Sequence, residues 1–577
     1  MNIKNLPKVA LVLIATFGGG YISRYIQNNY FNQKDIRNLS YKLHFHDISN
    51  QLIPPFYYQV PNTISKQRLK FVFGPGVAVA DFNGDHRMDF IIPNSDGGLD
   101  LYLNTGNGQF KLADESWGLS HLSDSDSDSL MLSPVIYDYL NNNRPSLFVA
   151  GLGCSKLLRH DGDHFTDVSK NSEIIDCKNS QSAVPIQFNG KDQVDLFIIR
   201  YFNDSNVFDQ SHKNFLHENR FNAKNGGQSS LIKNLGNGNF KNITSSKGIT
   251  STPWSLDAGW ANLDGENNYL YLANDFGPDS LYRMTDDGFI DASKSLGFPD
   301  RRLGMNVSFI DLDGSGIPYT FVTNVYYPRY EEFGNFLWKY DSSKKQFTDH
   351  ARDLGLHNCL WAFGVAAGDF DLDGNQEMYV ANGFITNKKA NQGSDPTAYM
   401  QGIYASFPGI LTSRDDTHLG ISHLGQNQVD CLFSSNQQQN HFTDYATESG
   451  IIDPNDDRAV AMIDTENNGR LDLIVTSRKG SIHFLKNNTP LSDHWVGFQL
   501  NPLYRSIGTK IEIIQNNRKF YRWNTGGKSG FMAYSDPRIH FGLPNNTPVD
   551  LNIYWNNKKV SHLTQLKTGK YYEINRP

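Results

Sequence analysis

The chain has 577 residues, of which 13% are aromatic and 20% charged, with a formal net charge of −7. That length supports a large core and more than one domain, and the absence of a basic stripe argues against a nucleic-acid-binding class. Gly and Asn punctuate turns throughout and no long amphipathic helical pattern occurs, so the expected class is all-β.

In chain order, Lys4 and Lys8 precede the apolar run Val9–Phe17 and then Gly18-Gly19-Gly20. Residues 1–22 read as an export signal. The run is short of the about 20 residues a spanning helix needs; counting on to Ile22 gives an uncleaved anchor as the alternative. The protein is expected to be exported, either secreted or held in the periplasm or at the cell surface, and to meet a membrane only through that anchor. The first cysteine is Cys154, so an N-terminal lipid attachment is excluded.

Residues 23–490 are repetitive. A Phe, usually with Asp two residues on and Ser, Thr or Ala after it, recurs at Phe45, Phe110, Phe165, Phe240, Phe289, Phe347 and Phe442. A loop of the type D-x-[DN]-x-D-G-x-x-D follows at a constant offset: 187−165, 262−240, 311−289, 369−347 and 464−442 all give 22. The second loop, at Asp138, lies 28 residues after Phe110, with the insert SDSDSDS (Ser123–Ser129) accounting for the excess; the first, at Asp81, lies 36 after Phe45. Each loop sits between short apolar runs such as GVAVA and DFIIP, and a third run and the Phe segment follow. Four short strands repeated seven times predict a seven-bladed β-propeller. The first Phe copy precedes the first loop and the last loop has no Phe copy behind it. The N-terminal strand is therefore expected to complete the last blade and close the ring, removing exposed sheet edges.

These repeats resemble the FG-GAP (VCBS-type) family, the propeller of integrin α-subunits. IGTKIEI (Ile507–Ile513) and SDPRIHFGL (Ser535–Leu543), with NIYW behind them, resemble the ASPIC/UnbV domain. The combination is similar to extracellular proteins related to cartilage acidic protein. Residues 491–577, with strand patterns WVGFQL, TKIEII, KFYRW and VDLNIYW, are expected to form a small β-sandwich packed on the propeller.

The acidic loops suit Ca²⁺, which takes six to eight hard oxygen ligands from a flexible loop. Side chains at positions 1, 3, 5 and 9, with the carbonyl at 7, can wrap one ion, and a central Gly lets the chain turn tightly. Three loops are complete: Asp81, Asn83, Asp85 and Asp89; Asp369, Asp371, Asp373 and Glu377; Asp464, Glu466, Asn468 and Asp472. The fifth keeps Asp311, Asp313 and Ser315 but has Tyr319 at position 9, and the fourth keeps Asn262, Asp264 and Glu266 but has Leu270 there. The second and third place Leu140 and Lys191 at ligand positions and are expected to hold no metal; the Lys191 ammonium could replace the cation. The expected role of Ca²⁺ is structural, since clustered carboxylates repel and a bound ion reverses that cost.

No HExxH, GxSxG, Walker or GxGxxG pattern occurs. The loops that enter the innermost strands carry Trp254, Arg301, Arg302, His357, Trp361, Asp457 and Arg458. Arg and Trp are favoured contact residues, so Trp254, Arg301, Arg302, Trp361 and Arg458 are candidates for a ligand face opposite the calcium loops. Channel-lining core is the competing reading, because Trp254 and Trp361 hold matching repeat positions. Arg538 and His540 in SDPRIHFGL form either a stabilising or a binding face. The expected function is a non-catalytic, calcium-stabilised binding or adhesion protein recognising an extracellular protein or glycan. The alternative is an exported enzyme acting on polysaccharide or another polymer at the channel mouth.

Four cysteines occur, none in a CxxC pair, so no zinc site is expected. Cys154 and Cys177, the closest pair, are expected to form a disulfide, and Cys359 and Cys431 to be free and buried; pairing of Cys177 with Cys359 is the alternative.

Overall fold

The structure, a computed structural model, describes residues 43–52, 54, 73–120, 122, 129–188, 193–203, 222–298, 303–326, 334–383, 428–436, 441–452, 454–478, 482–490, 492–556 and 559–577. The expected export segment, Arg301, Arg302 and Lys191 lie outside them. Among the described residues no helix is long and apolar enough to cross a membrane.

Six four-stranded antiparallel units follow one another from Val77 to Asp444. A seventh is built from Asp457–Ile463, Asp472–Ser477 and Ile482–Asn487, with Phe45–Asp47 as its outer strand. Phe45 faces Asn487 and Asp47 faces Leu485, so the chain start closes the last sheet. The first strands of the seven units lie side by side in cyclic order, and the seventh returns to the first. The fold is a β-propeller, all-β as the periodicity predicts.

The hydrogen bonds explain the recurrent Phe-x-Asp-x-Ser pattern. Each Phe is buried. The Asp, or Asn242, accepts the backbone N–H two residues on, as in Asp47–Ser49 (2.8 Å), Asp167–Ser169 (2.9 Å) and Asp291–Ser293 (3.0 Å). This side-chain-to-backbone turn ends the outer strand. The following hydroxyl then accepts an N–H from the third strand: Phe484 to Ser49, Leu157 to Ser169, Leu231 to Thr244, Leu281 to Ser293. Where the repeat has Ala instead, the Asp takes that bond itself, from Leu337 to Asp349 and from Leu432 to Asp444.

The C-terminal region is a sandwich of two sheets. One pairs Trp495–Asn501 with Ile539–Gly542 and Lys570–Asn575; the other orders Arg518–Trp523, Lys510–Gln515, Val549–Tyr554 and Val560–Leu566. Val496, Phe498, Ile511, Ile513, Phe541 and Leu551 fill the space between them. Between these strands a hairpin, Lys528–Gly530 and Ala533–Tyr534, leaves the sandwich and enters the propeller channel. Ala533 and Tyr534 pair in parallel with Val77 and Ala78, extending the first sheet inward.

This hairpin fills the channel. Its Phe531, Met532 and Ala533 are fully buried in one cluster with Val77, Leu132, Leu256, Met305, Phe363 and Ala461. Tyr534 Oη donates to Ala183 O (2.8 Å), Phe531 N to Asn306 Oδ1 (2.6 Å) and Met462 N to Ser535 Oγ (2.9 Å). Lys528 Nζ lies 2.7 Å from Asp257 Oδ1, with both side chains buried. Gly530 is required there, since a Cβ would overlap Asn306 Oδ1.

Both pairs Cys154–Cys177 and Cys359–Cys431 are disulfides. The first matches the sequence reading. The second corrects it: sequence separation of 72 hides that Cys431 begins the third strand of the sixth sheet, where register sets it opposite Val380, 6.1 Å Cα–Cα from Cys359.

Candidate functional site

The acidic loops all leave the far ends of the first strands, so they share one face. Each is shaped by its own backbone bonds. The position 1 carboxylate accepts successive loop amides: Asp81 from Gly84 (2.8 Å) and His86 (2.9 Å), Asp369 from Asp373 (3.0 Å) and Gly374 (2.7 Å), Asp464 from Asn468 (3.0 Å) and Gly469 (2.8 Å). Position 9 ties the loop to its sheet. Asp89 takes the Phe82 and Asn104 amides, and Glu377 takes that of Phe370. The Asn on the third strand then reaches the neighbouring sheet, from Asn104 to Thr465 O (2.9 Å), Asn234 to Tyr139 O (2.9 Å) and Asn487 to Phe370 O (2.8 Å). The Asp, Asn and turn residues of the repeat thus also hold adjacent blades together.

The loops differ in charge. In the sixth, carboxylate oxygens of Asp369, Asp371 and Asp373 lie within 4.8 Å of one another, the one such group among the described residues. Burial, then repulsion from Asp373 and Asp371, pushes the Asp369 carboxyl well up; burial and the same cluster do so for Glu377. This donor set, all hard oxygens converging on one point, fits Ca²⁺. In the first loop, burial pushes Asp89 up to about 7, and Arg87 pairs with Asp85 at 2.5 Å. In the seventh, Glu466 is held by Lys486 (2.7 Å) and Arg470 (3.0 Å).

The fifth loop departs from its expected role. Lys339 Nζ sits 3.0 Å from Asp313 Oδ2, 2.9 Å from Ser315 Oγ and 2.6 Å from Ile317 O, and 4.3 Å from the Tyr319 ring centre. Asp313, Ser315, Ile317 and Tyr319 are loop positions 3, 5, 7 and 9. An ammonium thus stands beside the loop positions from which Asp311, Asp313 and Ser315 were expected to offer oxygen ligands.

The sandwich docks on the acidic face. Arg518 donates to Gly374 O (3.0 Å) and Asn375 Oδ1 (2.8 Å), Tyr571 to Asp464 Oδ2 (2.8 Å), and Leu503 N to Asn143 Oδ1 (2.8 Å). Loop glycines are packing surfaces for the sandwich: a Cβ on Gly316 would press on Tyr521, and one on Gly469 would overlap Trp495. Arg538, buried, pairs with Asp536 at 2.5 Å and lies 4.0 Å from the Tyr571 ring centre. Burial, with Arg522 and Arg538 beside it, pushes the His540 imidazole down to about 3. Arg538 and His540 are therefore docking residues of this interface.

Of the residues singled out for a ligand face, the three that the structure describes are buried. Trp254 (3%), Trp361 (6%) and Arg458 (0%) belong to the interior. Trp254 donates to Asn225 Oδ1 and packs edge-on against Tyr201 (4.9 Å). Arg458 donates to Gly383 O (2.7 Å) and stacks 3.9 Å from the Phe363 ring centre. They offer no surface to a partner, which corrects that reading; matching repeat positions marked a shared packing role. The channel hairpin itself escaped the sequence reading. Its signal is GGKSGFMAYS (Gly526–Ser535), an apolar run between glycines in a segment otherwise punctuated as a turn.

Residues 81–149 match the model described as FG-GAP-like repeat and residues 503–577 that described as ASPIC and UnbV. The chain is thus a β-propeller that carries a stretch similar to the FG-GAP-like repeat, followed by a C-terminal region similar to ASPIC and UnbV. Among curated proteins nothing matches it. Among solved structures it is similar to BBS1N in complex with ARL6DN, soaked with lead, at 10% identity over 72% of this chain and 92% of that one, TM-score 0.36. The mercury-soaked form gives 9% identity over 73% and 93%, TM-score 0.34. An Agrocybe aegerita lectin that recognises non-reducing terminal N-acetylglucosamine gives 12% identity over 54% and 76%, TM-score 0.33.

Proposed function

We propose that this is an exported, calcium-stabilised recognition protein without catalytic activity. Its acidic face is reserved for its own C-terminal sandwich, and the opposite face is left for an extracellular protein or glycan. The observation that carries the calcium part is the sixth loop, where Asp369, Asp371 and Asp373 converge within 4.8 Å. A divalent cation there offsets repulsion that the fold otherwise bears, and links metal binding to folding. The first loop, with Asp81, Asn83, Asp85 and Asp89, is the second site of this reading. Two disulfides agree with an oxidising compartment.

Adhesion or recognition rests on the domain combination and on the docking of the sandwich on the acidic face, which leaves the opposite face for a partner. The test is a glycan and extracellular-protein array probed with and without calcium. Binding that survives chelation at a temperature where the protein stays folded locates the ligand away from the metal; hydrolysis of an arrayed polymer would replace this reading with the enzymatic one.

A further inference from the structure

The register of the seven sheets carries a pattern beyond the loops themselves. Continuing each antiparallel pairing of second and third strands by one residue places a third-strand side chain opposite loop position 9. In the first sheet Leu103 faces Asp89, and in the sixth Ser434 faces Glu377. In the third, fifth and seventh, Lys233 faces Asp195, Lys339 faces Tyr319 and Lys486 faces Asp472. In the fourth, position 9 is Leu270 and faces Tyr282, while the preceding Tyr269, whose hydroxyl reaches Asp264, faces Arg283. In the second, Arg159 faces Ser146 but turns to Asp161 (2.7 Å). Of the three sheets with a full set of oxygen ligands, the first and sixth have uncharged facing residues, Leu103 and Ser434, and the seventh has Lys486.

Where the contacts are direct, the basic group occupies the loop. Lys339 reaches positions 3, 5 and 7 of the fifth loop, and the Tyr319 ring closes the fourth side as a cation–π partner. Lys486 reaches position 3 of the seventh loop, where Arg470 adds a second charge. A tethered ammonium has no dehydration or translational cost to repeat at each binding event, and it opposes entry of a second cation by repulsion.

We propose that Lys339 and Lys486 act as built-in cations that replace the metal ion in the fifth and seventh loops, confining divalent-ion binding to the loops of the first and sixth sheets. The confinement rests on the calcium reading above; the replacement by lysine does not.

The experiment counts bound calcium on the full chain by equilibrium dialysis with radiocalcium, alongside melts in chelator. Wild type binds two ions, Asp371→Asn loses one, and Asp313→Asn and Glu466→Gln lose none. Loss of one ion from either of the last two variants overturns the proposal. In chelator, Lys339→Met lowers the melting temperature, and adding Asp313→Asn to it restores part of the loss, because the carboxylate left behind is the source of the strain. An unchanged melting temperature for Lys339→Met also overturns it. A wild type that binds no calcium at all sinks the calcium reading alone, and the chelator melts still decide the role of Lys339.

Discussion

The two faces of the propeller use the same repeat differently. On the acidic face, loops rich in Asp, Asn and Gly end the first strands, and the C-terminal sandwich covers them and sends Lys528–Tyr534 down the channel. On the opposite face, where the first strands begin, Trp254, Trp361 and Arg458 are drawn into the core and leave no aromatic or cationic patch of their own. The lesson is that charge does not mark the open surface here. The chain's own second domain docks on the acidic loops, approaching closely because Gly316, Gly374 and Gly469 carry no side chain at the contact.

The largest expected effect breaks the sealed face. Asp257→Ala leaves Lys528 buried without its partner, and removal of one member of a buried pair costs about 3–5 kcal/mol. Denaturant unfolding measures it, and the loss should exceed that of Lys339→Met, whose partner Asp313 is partly exposed. Opening the Cys154–Cys177 link by a double Cys→Ser change, which closes a separation of 23 residues, should cost roughly 3 kcal/mol in the chain-entropy model, read by thermal melts. Calcium 100-fold above its Kd should stabilise wild type by about 2.7 kcal/mol per independent site, and Asp371→Asn should forfeit one such increment. Arg301→Ala with Arg302→Ala should leave the melting temperature unchanged while weakening ligand capture on the array.

A smaller effect comes from Glu512 in the sandwich. Burial raises its carboxyl, but bonds from Lys519, Tyr521, Asn552 and Tyr554 outweigh that and hold it at about 2. The unfolded value is about 4.3. Because the folded value is depressed, its contribution is present above the unfolded value and is lost as pH falls through about 4 toward 2. Glu512→Gln should flatten the acid limb of a melting curve measured in that window.

Much of the architecture was legible because the repeat encodes its own bonds. The Phe fills the space between blades, the Asp two residues on makes a turn, and the hydroxyl holds the third strand, so spacing alone predicts four-stranded units and the closing strand at Phe45. The site was less legible. Loop composition marked Asp369, Asp371 and Asp373, but Lys339 and Lys486 lie on a strand that follows the loop, and only register brings them back to it. The buried fate of Trp254 and Trp361 depends on neighbours such as Tyr201 in another sheet. Residues 526–535 were opaque for a related reason: a short apolar hairpin has a partner only when the ring around it exists.

The propeller channel is occupied by the chain's own C-terminal hairpin. Native-state hydrogen exchange of the full chain tests it most directly. The Phe531 and Tyr534 amides, buried among the inner strands, should exchange as slowly as those of Val77–Ala80. Exchange at the rate of an exposed turn, with Val77–Ala80 still protected, would contradict it.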